Sequence, residues 1–508
     1  MIDQSETLKP EVLESTPKGH PKGLYVLFAT EMWERFSYYG MRALLVLYLT
    51  AQIVNGGFEL DRTSALEIYA IFTGLVYLTP IVGGLLADKV LGQRKAIFIG
   101  GILMALGQFT LAYSHLGNVE TRTWLLQLGL GVLIIGNGFF KPNISTIVGK
   151  LYSDHDPRKD SAFTIFYMGI NLGAFLAPLV CGYLAVEFGW AYGFGAAGVG
   201  MILGTVWFAV QGRLLGNVGF PPNRLAKAGE TLKLITKDWV NVLVYVVASL
   251  ALVYGLLAFW GTLGEGAKSN LTTILAIVGA LALAYIIFSN TQGNVQWKRV
   301  GVIFILCFFN IFFWAGFEQA GGTFNLFAES NTNRSVFGWE VPAAWFQSVN
   351  SIWIISLAPV ISMLWLSLSR IGKNPNIPVK FAMALIFLGI GFVVMSAANS
   401  AASGGNLVSP MWLVMVYFLH TVAELCLSPI GLSMISKLSP QKIVSVMMGL
   451  WFASIALANY MAGVLESVLK NYLPDMQLFS FLTLTSICAG VILLLLSPIL
   501  KRMMSGVS

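Results

Sequence analysis

Seven ionisable side chains sit deep inside apolar runs of this chain: Glu31, Glu34, Arg35, Arg42, Lys141, Glu318 and Glu424. Charge placed among apolar residues is tolerated only where it faces a protein interior or a water-filled cavity. The bases Arg35, Arg42 and Lys141 and the acid pair belong to the first half of the chain; Glu318 and Glu424 belong to the second. A cavity between halves would therefore have a positive wall and a negative wall, a dipole that suits a zwitterion with a carboxylate at one end and an ammonium at the other. Acids beside bases can also exchange a proton for an ion pair. Glu318 is one candidate, and Glu31 and Glu34 are others, trading partners between Arg35 and Lys141.

Neighbouring residue types fit the same chemistry. Asn171 and Asn350 offer both donor and acceptor to amino and backbone groups. Tyr38, Tyr77 and Tyr167 combine a hydroxyl with a ring, and Trp314 and Trp451 could wall side-chain pockets. Lys141 lies in Gly136-Asn137-Gly138-Phe139-Phe140-Lys141-Pro142-Asn143, where the proline is expected to break the helical ladder and set the lysine at a turn. His420 falls one turn before Glu424. The four cysteines, Cys181, Cys307, Cys426 and Cys488, read as small buried hydrophobes, with no metal-ligand spacing.

The elements that must position these groups are membrane helices. The chain is 56% hydrophobic and only 11% charged, against about a quarter charged in soluble domains. Apolar runs near 23–52, 65–87, 95–115, 122–150, 160–186, 189–211, 237–260, 270–290, 299–328, 342–368, 379–399, 410–436, 442–470 and 474–500 give about fourteen spans of bilayer length. With both termini cytoplasmic, roughly 23 bases fall on inner segments and about 5 on outer ones, a strong positive-inside bias. The net charge of +7 is then topology, not a nucleic-acid surface. Residues 1–22 form a polar tail with no cleavable signal. The connection 211–237 separates a six-helix block, 23–211, from a linker with two spacer helices, 212–298, and a second six-helix block, 299–508. Glu31, Glu34/Arg35, Tyr38 and Arg42 share one face of the first helix at i, i+3/4, i+7 spacing.

Between the second and third runs, Gly83-Gly84-Leu85-Leu86-Ala87-Asp88-Lys89-Val90-Leu91-Gly92-Gln93-Arg94 resembles the latch loop of the major facilitator superfamily. Glu31-Met32-Trp33-Glu34-Arg35-Phe36-Ser37-Tyr38-Tyr39-Gly40 resembles the E-x-x-E-R-F-x-Y-Y-G motif of its proton-coupled oligopeptide transporters. Phe166-Tyr167-Met168-Gly169-Ile170-Asn171-Leu172-Gly173, Phe317-Glu318-Gln319 after Trp314, and Glu424-Leu425-Cys426-Leu427-Ser428-Pro429 are similar to further motifs of that family, across both halves. The resemblance implies an all-α major facilitator fold with two spacer helices. It also implies di- and tripeptide symport with protons into the cell across the inner membrane, by a monomer needing no cofactor. It implies that Lys141 faces the peptide carboxylate beside the Glu31/Glu34/Arg35 cluster, that Glu424 receives the amino terminus, and that Asp88 and Arg94 latch the helices. Animal members use a second-helix histidine. The run 65–87 has none, so coupling here would rest on carboxylates.

Two alternatives remain at this stage: the same fold carrying another anion such as nitrate, or a channel. An enzyme is disfavoured, since neither HExxH nor GxSxG occurs.

Overall fold

The computed structural model describes residues 19–87, 91–153, 156, 158–220, 281 and 283–505. The latch residue Asp88, tail residues 1–18, the expected spacer helix 237–260 and most of 270–290 lie outside the described residues.

The first block is six helices: α1 (Lys22–Thr50), α2 (Arg62–Leu86), α3 (Gln93–Tyr113), α4 (Val119–Lys150), α5 (Lys159–Phe188) and α6 (Trp190–Gln211). The second is α7 (Gly293–Phe317), a short α8 (Thr323–Asn331), α9 (Gln347–Arg370), α10 (Ile377–Ala401), α11 (Met411–Leu438), α12 (Val444–Tyr472) and α13 (Leu478–Met503). Ten helical segments among the described residues are long and apolar enough to cross a membrane. A hairpin of β1 (Ser335–Val336) and β2 (Trp339–Glu340) links α8 to α9.

Local chemistry sets the helix ends. Asp61 caps α2 by accepting from the Thr63 and Ser64 N–H groups at 3.0 and 3.1 Å. Asn118 caps α4 through the Thr121 N–H at 2.9 Å, and Asn376 caps α10 through the Val379 N–H at 3.0 Å. Each side-chain oxygen satisfies a donor that has no partner inside the helix.

Two helices depart from the expected outline. α4 runs through Pro142 unbroken, so Lys141 sits within a continuous helix and not at a turn. The proline removes only the bond to the Gly138 carbonyl, and that carbonyl lies at the close approach of α2, against Gly83. Conversely, the expected single run 299–328 is split. α7 stops at Phe317, a 3-10 turn covers Glu318–Gly321, and α8 restarts at Thr323. Gln319 stabilises the break, donating to the Ala315 and Ala462 carbonyls at 3.1 and 2.9 Å and accepting from the Thr323 hydroxyl at 2.8 Å.

Glycines draw helices together where side chains would keep them apart. On α3 and α4, a Cβ at Gly136 would stand 2.7 Å from the Met104 side chain and 2.9 Å from the Gly100 carbonyl. Small residues at such contacts replace the hydrophobic driving force that lipid does not supply.

Between the blocks, α2 packs on α12 and α5 on α9. The cross-block bonds recorded among the described residues are Arg42–Glu318, Arg62–Glu466, Thr63–Lys470, Ala43–Asn325, Phe175–Ser348 and Leu179–Trp345. All lie toward the end of the molecule where α1 and α12 finish, opposite Lys22 and Met503. The two blocks are tied at that end around a central cavity.

Candidate substrate site

The cavity has a volume of ≈ 130 Å³ and lies between the blocks. Tyr39 and Arg42 of α1, Tyr77 of α2, and Tyr167 and Asn171 of α5 form one wall. Trp314, Glu318, Gln347, Asn350, His420 and Glu424 form the other.

At its closed end, Arg42 Nη2 meets Glu318 Oε2 at 2.6 Å, and Arg42 Nε donates to the Tyr69 hydroxyl at 2.8 Å. The guanidinium also stands 5.6 Å from the Tyr39 ring centroid. The break after α7 turns Glu318 out of a regular helix and toward α1. Both partners are almost fully buried, so removing either one leaves an uncompensated charge, a change on the order of 3–5 kcal/mol.

On the second block, Glu424 Oε2 accepts from the Asn350 amide at 3.2 Å, and the same amide donates to the Thr421 hydroxyl at 2.9 Å. Among the described residues, Glu424 has no cationic partner.

Two helical turns back along α1, about 10 Å, lies a second cluster. Arg35 Nε meets Glu31 Oε1 at 2.8 Å and Glu34 Oε2 at 2.6 Å, and Asn137 donates to Glu34 Oε1 at 3.1 Å. Lys141 projects from α4 beside it but pairs with neither acid. Its ammonium lies 3.9 Å from the centroid of the Tyr77 ring, an arrangement worth up to about 2 kcal/mol when desolvated. Tyr77 therefore belongs to both places, lining the cavity and carrying Lys141.

The expected walls are thus realised with a difference. Arg42 and Glu318 neutralise each other directly, which leaves Glu424 as the unpaired acid and Lys141 as the base without a carboxylate. Of the residues expected to bind, Arg42, Tyr77, Tyr167, Asn171, Trp314, Asn350 and Glu424 line the cavity, together with Glu318. Arg35, Lys141, Glu31 and Glu34 form the adjoining cluster. Tyr38 and Trp451 lie outside the lining. Tyr38 is buried against Phe72, with ring centroids 6.5 Å apart and planes at 24°. Trp451 is buried against Gly431 and Phe381.

Tyr39 takes the place expected of Tyr38, and Arg35, Tyr39 and Arg42 follow the i, i+4, i+7 spacing of one helix face. Arg35, Tyr38 and Arg42 fit one face equally well at i, i+3, i+7, so the sequence carried no signal that separates the two tyrosines. Tyr69, Asn137 and Gln347 carried none, since their roles come from helices that meet only in three dimensions. Arg94, expected as a latch, is buried with its bonds directed to the segment after α6. It donates to the Val218 carbonyl at 2.6 Å and to the Gly216 carbonyl, and stacks on Phe220 at 4.4 Å.

A polytopic helical fold, two blocks closed at one end and a charged cavity at their interface define a membrane transporter of the alternating-access kind. Residues 94–478 match the model of the POT family. The chain is 39% identical to the peptide transporter YePEPT of Yersinia enterocolitica, over 96% of each chain. It is 34% identical to a di-/tripeptide transporter of Lactococcus lactis, over 96% of this chain and 98% of that one. A crystal structure of a peptide transporter POT in complex with sulfate is 38% identical, covers 97% of each chain and superposes with a TM-score of 0.82. The chain belongs to the POT family, a branch of the major facilitator superfamily, and is a multi-pass membrane protein.

Proposed function

We propose that this protein carries di- and tripeptides into the cell together with protons, across the inner membrane, with both termini cytoplasmic and the monomer as the working unit. The observation that carries the reading is the pair of charges with no oppositely charged partner among the described residues, Glu424 in the cavity and Lys141 in the cluster that adjoins it. Glu424, with Asn350 beside it, is an acceptor for a peptide ammonium; Lys141, held only by an aromatic face, is free to meet a peptide carboxylate. Asn171 and Tyr167 supply amide and hydroxyl groups for the peptide backbone. The family names of the curated relatives support the substrate class, and no observation favours nitrate or another inorganic anion over a zwitterion.

With the termini inside, the tied end faces outward and the cavity is closed to the exterior. A proton on Glu318 would neutralise it and release Arg42, opening that end. A proton in the Glu31/Glu34 cluster would loosen Arg35 and leave it and Lys141 for the substrate carboxylate. Blocks 23–211 and 299–508 would rock about the cavity, with the two spacer helices of 212–298 outside the moving core and Arg94 bracing the first block.

Reconstituted protein under an inwardly directed proton gradient is expected to accumulate labelled dialanine above an uncoupled control. Glu424→Gln should reduce uptake at least tenfold, since a charge-assisted bond worth about 1.5–3 kcal/mol is lost. Binding of N-acetyl-dialanine, which has no ammonium, should be weak in the parent and little changed by the substitution. Uptake indifferent to the gradient would sink the coupling; full dialanine uptake by Glu424→Gln would sink the assignment of the amino end.

A further inference from the structure

The hairpin between α8 and α9 contradicts what a water-exposed turn should look like. Its two-residue turn is Phe337-Gly338, with φ of 52° and 81°. Left-handed positions of this kind favour Asn, Asp or Gly, and a bulky side chain there is an outlier. Phe337 is nevertheless fully exposed, and Val336 and Trp339 on either side of it are exposed as well. Backbone strain at Phe337 and apolar exposure at Val336, Phe337 and Trp339 thus coincide at the tip.

The base of the hairpin is the reverse. Arg334 meets Glu329 and Glu340 at 3.1 and 2.9 Å and donates to the Val341 carbonyl at 2.9 Å. Asn333 accepts from the Ser335 N–H at 3.1 Å. The turn is therefore an apolar tip on a stem tied by ion pairs, in which one arginine faces two glutamates.

Its level along the bundle is fixed by two tryptophans. Trp339 lies 5.2 Å from Trp345, centroid to centroid. Trp345 donates its indole N–H to the Leu179 carbonyl of α5 at 3.0 Å and packs at Gly182. Leu179 is nine residues before Phe188, the end of α5, and so about 13 Å short of it. The 30 residues of α5 extend about 45 Å, while the hydrocarbon layer needs only about 30 Å. A centred α5 overshoots that layer by about 7 Å at each end, which sets the Leu179 carbonyl about 6 Å inside its edge and Trp345 within that layer and not above it. Exposed Tyr183, Phe188 and Tyr192 continue an aromatic band from there toward the end of α5 and the start of α6.

We infer that the Ser335–Glu340 hairpin is a membrane-interface anchor, with Val336, Phe337 and Trp339 inserted at the boundary of lipid headgroups and acyl chains beside the α5–α9 seam. The occupant of this surface is the bilayer itself. Apolar and aromatic side chains at that boundary are favourable where in water they are not, and this gain holds Phe337 in a conformation it would otherwise avoid.

The test is depth. In a Cys488→Ser background, nitroxide labels at Phe337→Cys, at Leu495→Cys (exposed on α13) and at Lys373→Cys (in an exposed loop) are compared in lipid nanodiscs by power-saturation spin resonance. The label at 337 is expected to behave like that at 495, relaxed more by oxygen than by a water-soluble nickel chelate. Behaviour like the label at 373 would overturn the anchor, whether the tip then stands in water or meets another protein. A label-free arm uses Phe337→Asn, which suits the left-handed turn. For a turn in water this substitution relieves strain, so thermal stability in nanodiscs would hold or rise; for an anchor it must fall. A hold or rise overturns the proposal.

Discussion

Lys141 is the residue whose surroundings differ most from what its neighbours in sequence imply. Glu31 and Glu34 are both within reach of its cluster, yet both are taken by Arg35, and the ammonium rests on Tyr77. The ring and the hydroxyl of Tyr77 can be separated by substitution. Tyr77→Phe keeps the aromatic face and is expected to leave the KM for dialanine within about twofold. Tyr77→Leu removes that face, lets Lys141 collapse onto the acids in competition with substrate, and should raise the KM on the order of tenfold. Equal losses in the two variants would assign the effect to the hydroxyl. Outside the membrane, Arg158 donates to Asp156 at 2.7 and 3.0 Å and holds its carboxyl down at about 2. This loop acid therefore stays charged throughout the neutral range and does not contribute pH dependence there. At this scale the sequence named the charged residues because charge in an apolar run is conspicuous. It could not tell Tyr38 from Tyr39, since both are aromatic alcohols on a helix whose rotation only packing decides.

Among the helices, α7 and α4 invert the usual reading of hydropathy and proline. α7 stops at Phe317 where hydropathy alone would continue it, and Gln319 ties the break by donating to the Ala315 carbonyl of α7 and the Ala462 carbonyl of α12. Pro142 does not interrupt α4, and the one carbonyl it orphans lies at the close approach of α2 to Gly138. Hydropathy reports how long an apolar stretch is and not whether its backbone is continuous, which is why the runs among the described residues were legible and their interruptions were not. The α3–α4 contact is sensitive to volume. Gly136→Val would drive a branched side chain into Met104 and the Gly100 backbone. Overpacking of this kind should lower stability by about 1–3 kcal/mol, seen as a lower midpoint of thermal unfolding in detergent. Gly195→Ala, where a Cβ meets nothing, is the control and should leave the midpoint in place.

For the whole molecule, the division into two blocks was expected from helix count and the long connection 211–237. Which end is tied was not, because the bonds that tie it join residues hundreds of positions apart. Arg62 and Glu466 meet at 2.8 Å, with Lys470 bridging Glu466 and Thr63 at 3.3 and 3.1 Å. Arg62 is partly exposed, so the clasp is worth no more than about 1 kcal/mol. Glu466→Gln should shift the balance of open and closed forms up to about fivefold. Distance distributions between spin labels at the start of α2 and the end of α12 would record it as a larger long-distance population; identical distributions would make the clasp a bystander.

Arg94 adds a mechanical consequence. By gripping Gly216, Val218 and Phe220, it makes the first residues after α6 part of the first block's rigid body. Any pull on the chain at Phe220 therefore reaches α3, the helix on which Arg94 sits, before it reaches α6.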